Sequence, residues 1–230
     1  MNEFEFDKFA DEYKKIVSSC FRVTGENIDY FASYKIYALA ALLAERSNDK
    51  LRILDFGSGV GTSIEHFRKL MPNSELTCLD VSFKSIEIAR NQYPDQANFI
   101  VFDGKKIPFS ENTFDVMFAA CVFHHVPIKI HPALLKESLR VLRPKGHCVI
   151  FEHNPFHPLT VRAVNACPLD QNAVLIKAHD LNNKLKQVGF RDVIHRYQLF
   201  FPGILKFLRF LDKYLVNLPI GAQYFVVGRK

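Results

Sequence analysis

LDFGSGVGTS, residues 54–63, sets three glycines at alternate positions behind an apolar run and an acid. Glycines spaced in this way let a backbone come very close to something. A dinucleotide, a phosphate, a different adenosine cofactor, or nothing but a tight turn would each satisfy the stretch alone. Its flanks narrow the choice. LRILDF (51–56) reads as a short apolar strand, and TSIEHFRKL as a helix opened by a capping box of Thr62 and Glu65. A glycine turn between strand and helix is the setting a nucleotide-binding turn requires. The spacing is GxGxG, neither the GxGxxG of dinucleotide binding nor the GxxxxGK[ST] of a phosphate loop. Asp55, two residues before the first glycine, is awkward beside a pyrophosphate and suits a ligand carrying an ammonium and a sulfonium.

The same rhythm continues outward. ELTCLDV (75–81), NFIVFD (98–103), FDVMFAACV (114–122) and HCVIFEH (147–153) read as strands, with helices SFKSIEIARNQY and PALLKESLRVL among them. Strands alternating with helices, several apolar on both faces, predict a parallel sheet covered on each side. Ligands of such sheets bind outside the carboxyl ends of the strands. Asp80 ends the second strand, where a carboxylate can accept both ribose hydroxyls of an adenosine. Asp103 and Gly104 end the third, well placed for the adenine edge. AACVFHH ends the fourth, where the reacting centre would lie.

Before this core, residues 1–48 read as helices, FDKFADEYKKIVSSCF and IDYFASYKIYALAALLAER, broken at Thr24-Gly25. After it, residues 154–177 form a long irregular loop with enough apolar residues to be ordered, the expected cover of a site. A helix (DLNNKLKQVGF), a strand (RDVIHRYQLFF), the segment GILKFLRFLDKYLVNL and a last strand (AQYFVVGRK) complete the chain.

A chain of 230 residues, 48% hydrophobic and 23% charged, supports one sizeable core without a second domain. No apolar run reaches the roughly 18 residues of a spanning helix. The acidic, aromatic start is unlike a signal peptide, so the expected location is cytoplasmic. The five cysteines are scattered with no CxxC pair, which favours free buried thiols over a disulfide framework or a zinc site. The net charge of +6 is concentrated in the tail, where Arg196, Lys206, Arg209, Lys213, Arg229 and Lys230 face one acid, Asp212. A basic stripe interleaved with aromatics is missing, so nucleic acid is not an expected partner.

Taken in order and at this spacing, these segments resemble the class I S-adenosylmethionine-dependent methyltransferases of the small-molecule type. LDFGSGVG is similar to the family's first motif, CLD to its second-strand acid, FDGKKIPFSENTFDVMFAACVFHHV to its third-to-fourth strand block, and LKESLRVLRPKGHCVIFE to the helix and fifth strand. FDKFADEYKK resembles the helical cap that many members place over the cofactor. The resemblance runs from about Phe6 to Gly189, and the last strand pair fits it. It implies one methyltransferase domain over 1–230, with a cap (1–48), a cofactor-binding core (49–153), and a substrate loop with C-terminal strands (154–230). The implied fold is α/β and Rossmann-like: a seven-stranded, mostly parallel sheet with an antiparallel last strand, helices on both faces and an N-terminal helical cap. Carried over by position, Asp55, Gly57 and Gly59 would face the methionine part of S-adenosylmethionine, Asp80 the ribose, and Asp103 with Gly104 the adenine. Ser58, Val81 and Ala120 would be further cofactor contacts, with Tyr13 and Lys35 reaching in from the cap.

For the acceptor side, His124, His125 and His153 are candidate general bases, since imidazole titrates near neutral pH. Glu152, Asn154 and Arg162 are candidate substrate contacts. His153 and His157 with Glu152 straddle a proline in a loop, so no metal site is expected. The segment 203–218 is amphipathic and basic, either a helix packed on the sheet or lining the acceptor pocket, or a weak membrane-surface contact. The expected reaction is methyl transfer to a small-molecule acceptor, possible forms being lipid- or sugar-linked. The competing readings are an RNA or protein methyltransferase, for which no added basic domain is present, and a non-catalytic cofactor-binding protein.

Overall fold

In the computed structural model, residues 7, 10, 16, 26–46 and 49–230 are described. Most of the first expected helix, including Tyr13, together with Cys20 and the Thr24-Gly25 break, lies outside the described residues. The second cap helix is α1 (Ile28–Leu42), started by Asn27, whose side chain accepts from the Tyr30 amide.

Seven strands form one sheet: β1 (Arg52–Phe56), β2 (Glu75–Asp80), β3 (Asn98–Val101), β4 (Phe114–Ala120), β5 (Leu142–His153), β6 (Arg191–Gln198) and β7 (Gln223–Arg229). Their spatial order is β3-β2-β1-β4-β5-β7-β6. Every pairing from β3 to β5 is parallel, and β7 is antiparallel to both of its neighbours. The expected sheet is therefore present, antiparallel last strand included. The connections between strands carry α2 (Ile64–Leu70), α3 (Phe83–Gln92), α4 (His131–Val141), α5 (Pro158–Ala166) and α6 (Ala178–Val188), with a short α7 (Asp212–Leu215) before β7.

Alternation along the strands splits the core in two. Ile53, Val116, Phe118, Val149 and Phe151 pack with Ile36, Leu39, Ile64, Phe67, Ile86 and Ala89 of α1, α2 and α3. Leu54, Phe56, Met117, Ala119, Cys148 and Ile150 pack on the other side with Leu134, Leu135, Leu181 and Leu185 of α4 and α6. Burying both faces explains why these strands read as continuous apolar runs. Chain direction reverses its sideways progress between β1 and β4, which opens a crevice at their carboxyl ends.

Three local expectations are corrected. The Thr62–Glu65 capping box does not form: α2 starts at Ile64 after Ser63, with no side-chain cap, and Glu65 accepts from the Tyr93 hydroxyl instead. The loop after β5 contains α5, which Pro158 begins and the His157 ring caps by accepting from the Thr160 amide. The segment expected as one amphipathic helix is a 3₁₀ turn series over Gly203–Leu211, kinked at Leu205, followed by α7. None of its side chains is fully buried, so no core face holds it to α-helical register. Arg209 ties it down locally, donating to the Phe201 carbonyl and to Glu26 while lying over the Tyr30 ring.

The turn after β1 depends on glycine. Gly57 has φ +74°, and a Cβ there would stand 2.5 Å from Val122 Cγ2. Gly59 has φ +52° but meets nothing within 4 Å. Gly57→Ala is expected to cost about 2–4 kcal/mol in chemical denaturation, from backbone strain plus overpacking. Gly59→Ala should cost about 1–2 kcal/mol, from strain alone. Equal losses would show that the contact with Val122 is not what restricts residue 57.

Candidate functional site

The crevice beyond β1 and β4 is a cavity walled by six segments of the chain, with Gln223 of β7 beside them. Phe31, Ala32 and Lys35 come from α1, and Gly57 and Gly59 from the glycine turn. Asp80 and Val81 end β2, while Ala120, Cys121, His124 and His125 follow β4. His153 ends β5, and Cys167, Leu169 and Asp170 line the cavity from the segment after α5.

The glycine turn is bolted to β2. The amides of Gly57 and Ser58 donate to the Leu79 carbonyl at 2.7 and 3.2 Å. The Asp80 carboxylate accepts from the Gly59 amide at 2.8 Å through Oδ2 and from the Ser82 amide at 2.9 Å through Oδ1. Burial raises the Asp80 carboxyl above its ordinary range, opposed by those amide hydrogen bonds. Behind the turn, Asp55 is buried and its Oδ2 has no hydrogen-bond partner. Burial first, then the charge of Asp80, pushes Asp55 up to about 8. Lys35 is buried and lines the cavity, with Nζ 5.6 Å from the centre of the Tyr34 ring.

The opposite wall is a histidine cluster. Cys121, a non-glycine residue at φ +60°, turns the chain out of β4 into a tight helical turn over Phe123–His125. Left-handed backbone at such a residue is uncommon and concentrates at functional sites. His131 Nε2 holds the turn, within hydrogen-bond distance of the carbonyls of Phe123 (3.0 Å) and Val126 (2.9 Å). Glu152, fully buried, accepts from the Phe123 amide at 2.7 Å and pairs with His124 Nδ1 at 2.5 Å. Asp170 Oδ1 stands 3.5 Å from His124 Nε2 and 3.3 Å from His125 Nε2. Burial alone would lower the His124 imidazole, but the charges of Glu152 and Asp170 overcome it and hold the group well above its ordinary value. Burial, then the His124 charge, pushes His125 down to about 3 and His153 down to about 4. Gln223 links the cavity to the cap, since its Oε1 accepts from the Tyr34 hydroxyl and its Nε2 is 3.2 Å from His153 Nδ1.

Of the expected cofactor residues, Gly57, Gly59, Asp80, Val81, Ala120 and Lys35 therefore meet at one cavity. Asp55 and Ser58 sit behind its wall. Gly104 stands beside Val81, where an added Cβ would be 3.4 Å from that side chain. Asp103 is exposed, and its Oδ1 accepts from the amides of Lys105 and Lys106, an Asx-type turn that keeps the side chain at the surface. The acceptor-side candidates divide. His124, His125 and His153 converge, and Glu152 positions His124 from beneath. Asn154 does not face the cavity: its amide nitrogen donates to the carbonyls of Pro219 and Gly221, which anchors the approach to β7. Arg162 is exposed on α5 and lines no cavity among those found in the described residues. Sequence reasoning missed Asp170, Gln223 and Phe31, which only tertiary packing brings to the site.

A second, more apolar cavity adjoins the first. Phe31, His153 and Gln223 line both, and Tyr30, Val164, Phe200, Phe201 and Pro202 enclose the second.

The donor set fits S-adenosylmethionine. Gly59 lines the cavity at a point where even an added Cβ would meet nothing within 4 Å, and buried Asp55 has an unpartnered Oδ2. Asp80 retains acceptor capacity on both oxygens beyond the two amides it takes. Comparison with known proteins agrees. Residues 54–150 match the model of a methyltransferase domain. The chain is 35% identical over 104 residues to a demethylmenaquinone methyltransferase of Thermotoga maritima, covering 45% of this chain and 44% of that one. It is 30% identical over 145 residues to the O-methyltransferase cnsE of Penicillium expansum, covering 60% and 51%. The match thus spans about half the length of these relatives. A SAM-dependent methyltransferase structure from Thermotoga maritima, described as a possible histamine N-methyltransferase, superposes with a TM-score of 0.69 over 99% of both chains at 18% identity. Residues 54–150 thus match a methyltransferase domain, and the chain as a whole shares the fold of solved S-adenosylmethionine-dependent methyltransferases.

The raised Asp55 gives a signed pH dependence. A carboxyl whose folded value lies above its unfolded one contributes stability that is complete below about pH 4 and is lost as pH rises through about 8. Asp55→Asn removes that slope in the ligand-free protein. Its melting temperature should match wild type near pH 4 and exceed it near pH 8; parallel curves across that range would show that Asp55 is not strained by burial.

Proposed function

We propose that the protein transfers a methyl group from S-adenosylmethionine to a small-molecule acceptor. The observation that carries this reading is the glycine turn fixed to Asp80 at the mouth of β1 and β2, opening on a cavity whose far wall is built of polar groups. Bound there, S-adenosylmethionine supplies an electrophilic methyl carbon. Gly57, Ser58, Gly59, Asp55 and Lys35 would hold its methionine part, Asp80 and Val81 its ribose. Ala120 would sit against it from the end of β4, with Asp103 and Gly104 at the adenine rim. Lys35 suits the carboxylate, and a cation beside Asp55 would restore the ionised form that burial opposes.

Displacement at a sulfonium needs alignment and exclusion of water more than covalent help. The segment carrying Leu169 and Asp170 supplies the exclusion by covering the cavity. His153, whose Nδ1 faces the Gln223 amide, would donate through its other nitrogen and orient the acceptor. The second cavity would take the acceptor's apolar body, since its walls are mostly aromatic and aliphatic. The relatives' names span a quinone and an O-methyl acceptor, so the acceptor is argued from this chain's own walls.

The same cavity is bordered by Pro202 and Arg209, next to a surface that favours a lipid-linked acceptor. Ile204 is 85% exposed, Phe207 68%, Phe210 66% and Tyr214 71%, with Lys206 and Lys213 between them. Apolar side chains interleaved with lysines suit an anionic bilayer surface. No helix among the described residues is long and apolar enough to cross a membrane.

Asp80→Asn is expected to weaken binding of S-adenosylhomocysteine by about 10- to 100-fold in calorimetry, the worth of a charged hydrogen bond pair. Unchanged affinity would remove Asp80 from the site. Sedimentation with phosphatidylglycerol vesicles should fall about tenfold or more in a Phe207→Asp/Phe210→Asp variant. Wild-type protein that stays in the supernatant would eliminate the surface contact.

A further inference from the structure

Two buried carboxylates, Glu152 and Asp170, face the histidine cluster. Glu152 is fully buried and Asp170 largely so, and among the described residues the His124 ring stands between them. Lys35 lines the same cavity, but no ion pair joins it to either carboxylate among the described residues. Buried charge that lacks a counter-charge is costly and usually marks a bound ion or ligand.

The donor geometry says which. One ring nitrogen each of His124 and His125 and a carboxylate oxygen of Asp170 all lie within 4.8 Å of one another. The two imidazole-to-carboxylate separations are 3.5 and 3.3 Å. Metal bonds of about 2.1 Å at a tetrahedral angle put neighbouring donors about 3.4 Å apart. Glu152 holds His124 Nδ1 at 2.5 Å, which directs Nε2 to the cluster, and that nitrogen is buried without a hydrogen-bond partner. A carboxylate behind a ligating imidazole is the usual outer partner of a metal-bound histidine. The three ligands come from two separate segments, the turn after β4 and the cover before α6, so an ion would also fasten the cover.

We propose that His124, His125 and Asp170 hold a divalent transition-metal cation on the acceptor wall of the cavity, with Glu152 as its outer-sphere positioning residue. Two nitrogens and one oxygen suit zinc, cobalt, iron or manganese in preference to magnesium or calcium. The cation neutralises Glu152 and Asp170 together. Its open positions face the cavity, where they take an oxygen of the acceptor. This rests on the proposed methyl transfer only for the identity of that ligand, and it makes the acceptor one with a carboxylate, phenolate or enolate oxygen. The expectation of no metal came from His153, His157 and Glu152; the cluster that forms uses different residues.

The test is cobalt(II) titration of chelator-treated full-length protein, followed by visible absorption and calorimetry. One equivalent should bind with ligand-field bands. Asp170→Asn and His125→Ala, checked for folding by circular dichroism, should each lose about tenfold or more in affinity. Glu152→Gln should weaken binding less, and His179→Ala, at an exposed histidine, not at all. Absence of cobalt binding by wild type, or undiminished binding by Asp170→Asn, overturns the proposal. S-adenosylhomocysteine titrated into the same samples separates the two readings: its binding without cobalt defeats only the metal, and cobalt binding without it defeats only the cofactor.

Discussion

Everything at the site depends on the Asp80 carboxylate reaching across from β2 to the amide of Gly59. A turn that exposes its backbone to a ligand also exposes amides that need partners. Asp80 satisfies Gly59 and Ser82 together, and the Leu79 carbonyl takes Gly57 and Ser58. The ends of β1 and β2 are thereby locked into one rigid lip. The lock requires left-handed backbone at Gly57, where Val122 leaves no room for a Cβ, and a carboxylate raised by burial. The crevice opens where the connections after the parallel strands β1 and β4 lead to opposite sides of the sheet.

The facing wall is built by a parallel device. Glu152, at the end of β5, fastens both the backbone and a ring of the turn that follows β4. His131 fastens the same turn from α4, and Cys121 absorbs the sharp change in direction. Rigid supports on both lips mean that the distance between the two walls of the cavity is set by the sheet. The cap helix is held by Ile36 and Leu39 in the core and by Tyr34 on Gln223, and the cover by the Val174 amide on the His124 carbonyl, the Tyr224 hydroxyl on the Ile176 carbonyl and Asp170 beside the histidines.

What was legible in the sequence was whatever short-range pattern controls. The alternation of LRILDF, ELTCLD and FDVMFAA set the sheet, and the GxGxG turn with the acid ending the next strand marked the lip of the cavity, because each lies within one strand-turn-helix unit. Asp170 and Gln223 were not legible. Each sits dozens of residues from the histidines it meets, and only the folding of the cover and of β7 brings it there. Asn154 follows a strand end as a site residue would, yet the carbonyls of Pro219 and Gly221 claim its amide. The helical period of residues 203–218 was real in sequence, but without a core to bury it the backbone tightened into 3₁₀ turns.

A crystal structure with S-adenosylhomocysteine bound tests the central claim most directly. Both ribose hydroxyls should meet Asp80, with the homocysteine chain over Gly59 toward Lys35 and the sulfur facing the wall of His124, His125 and His153. A ligand bound elsewhere, or one whose ribose leaves Asp80 unengaged, would contradict it.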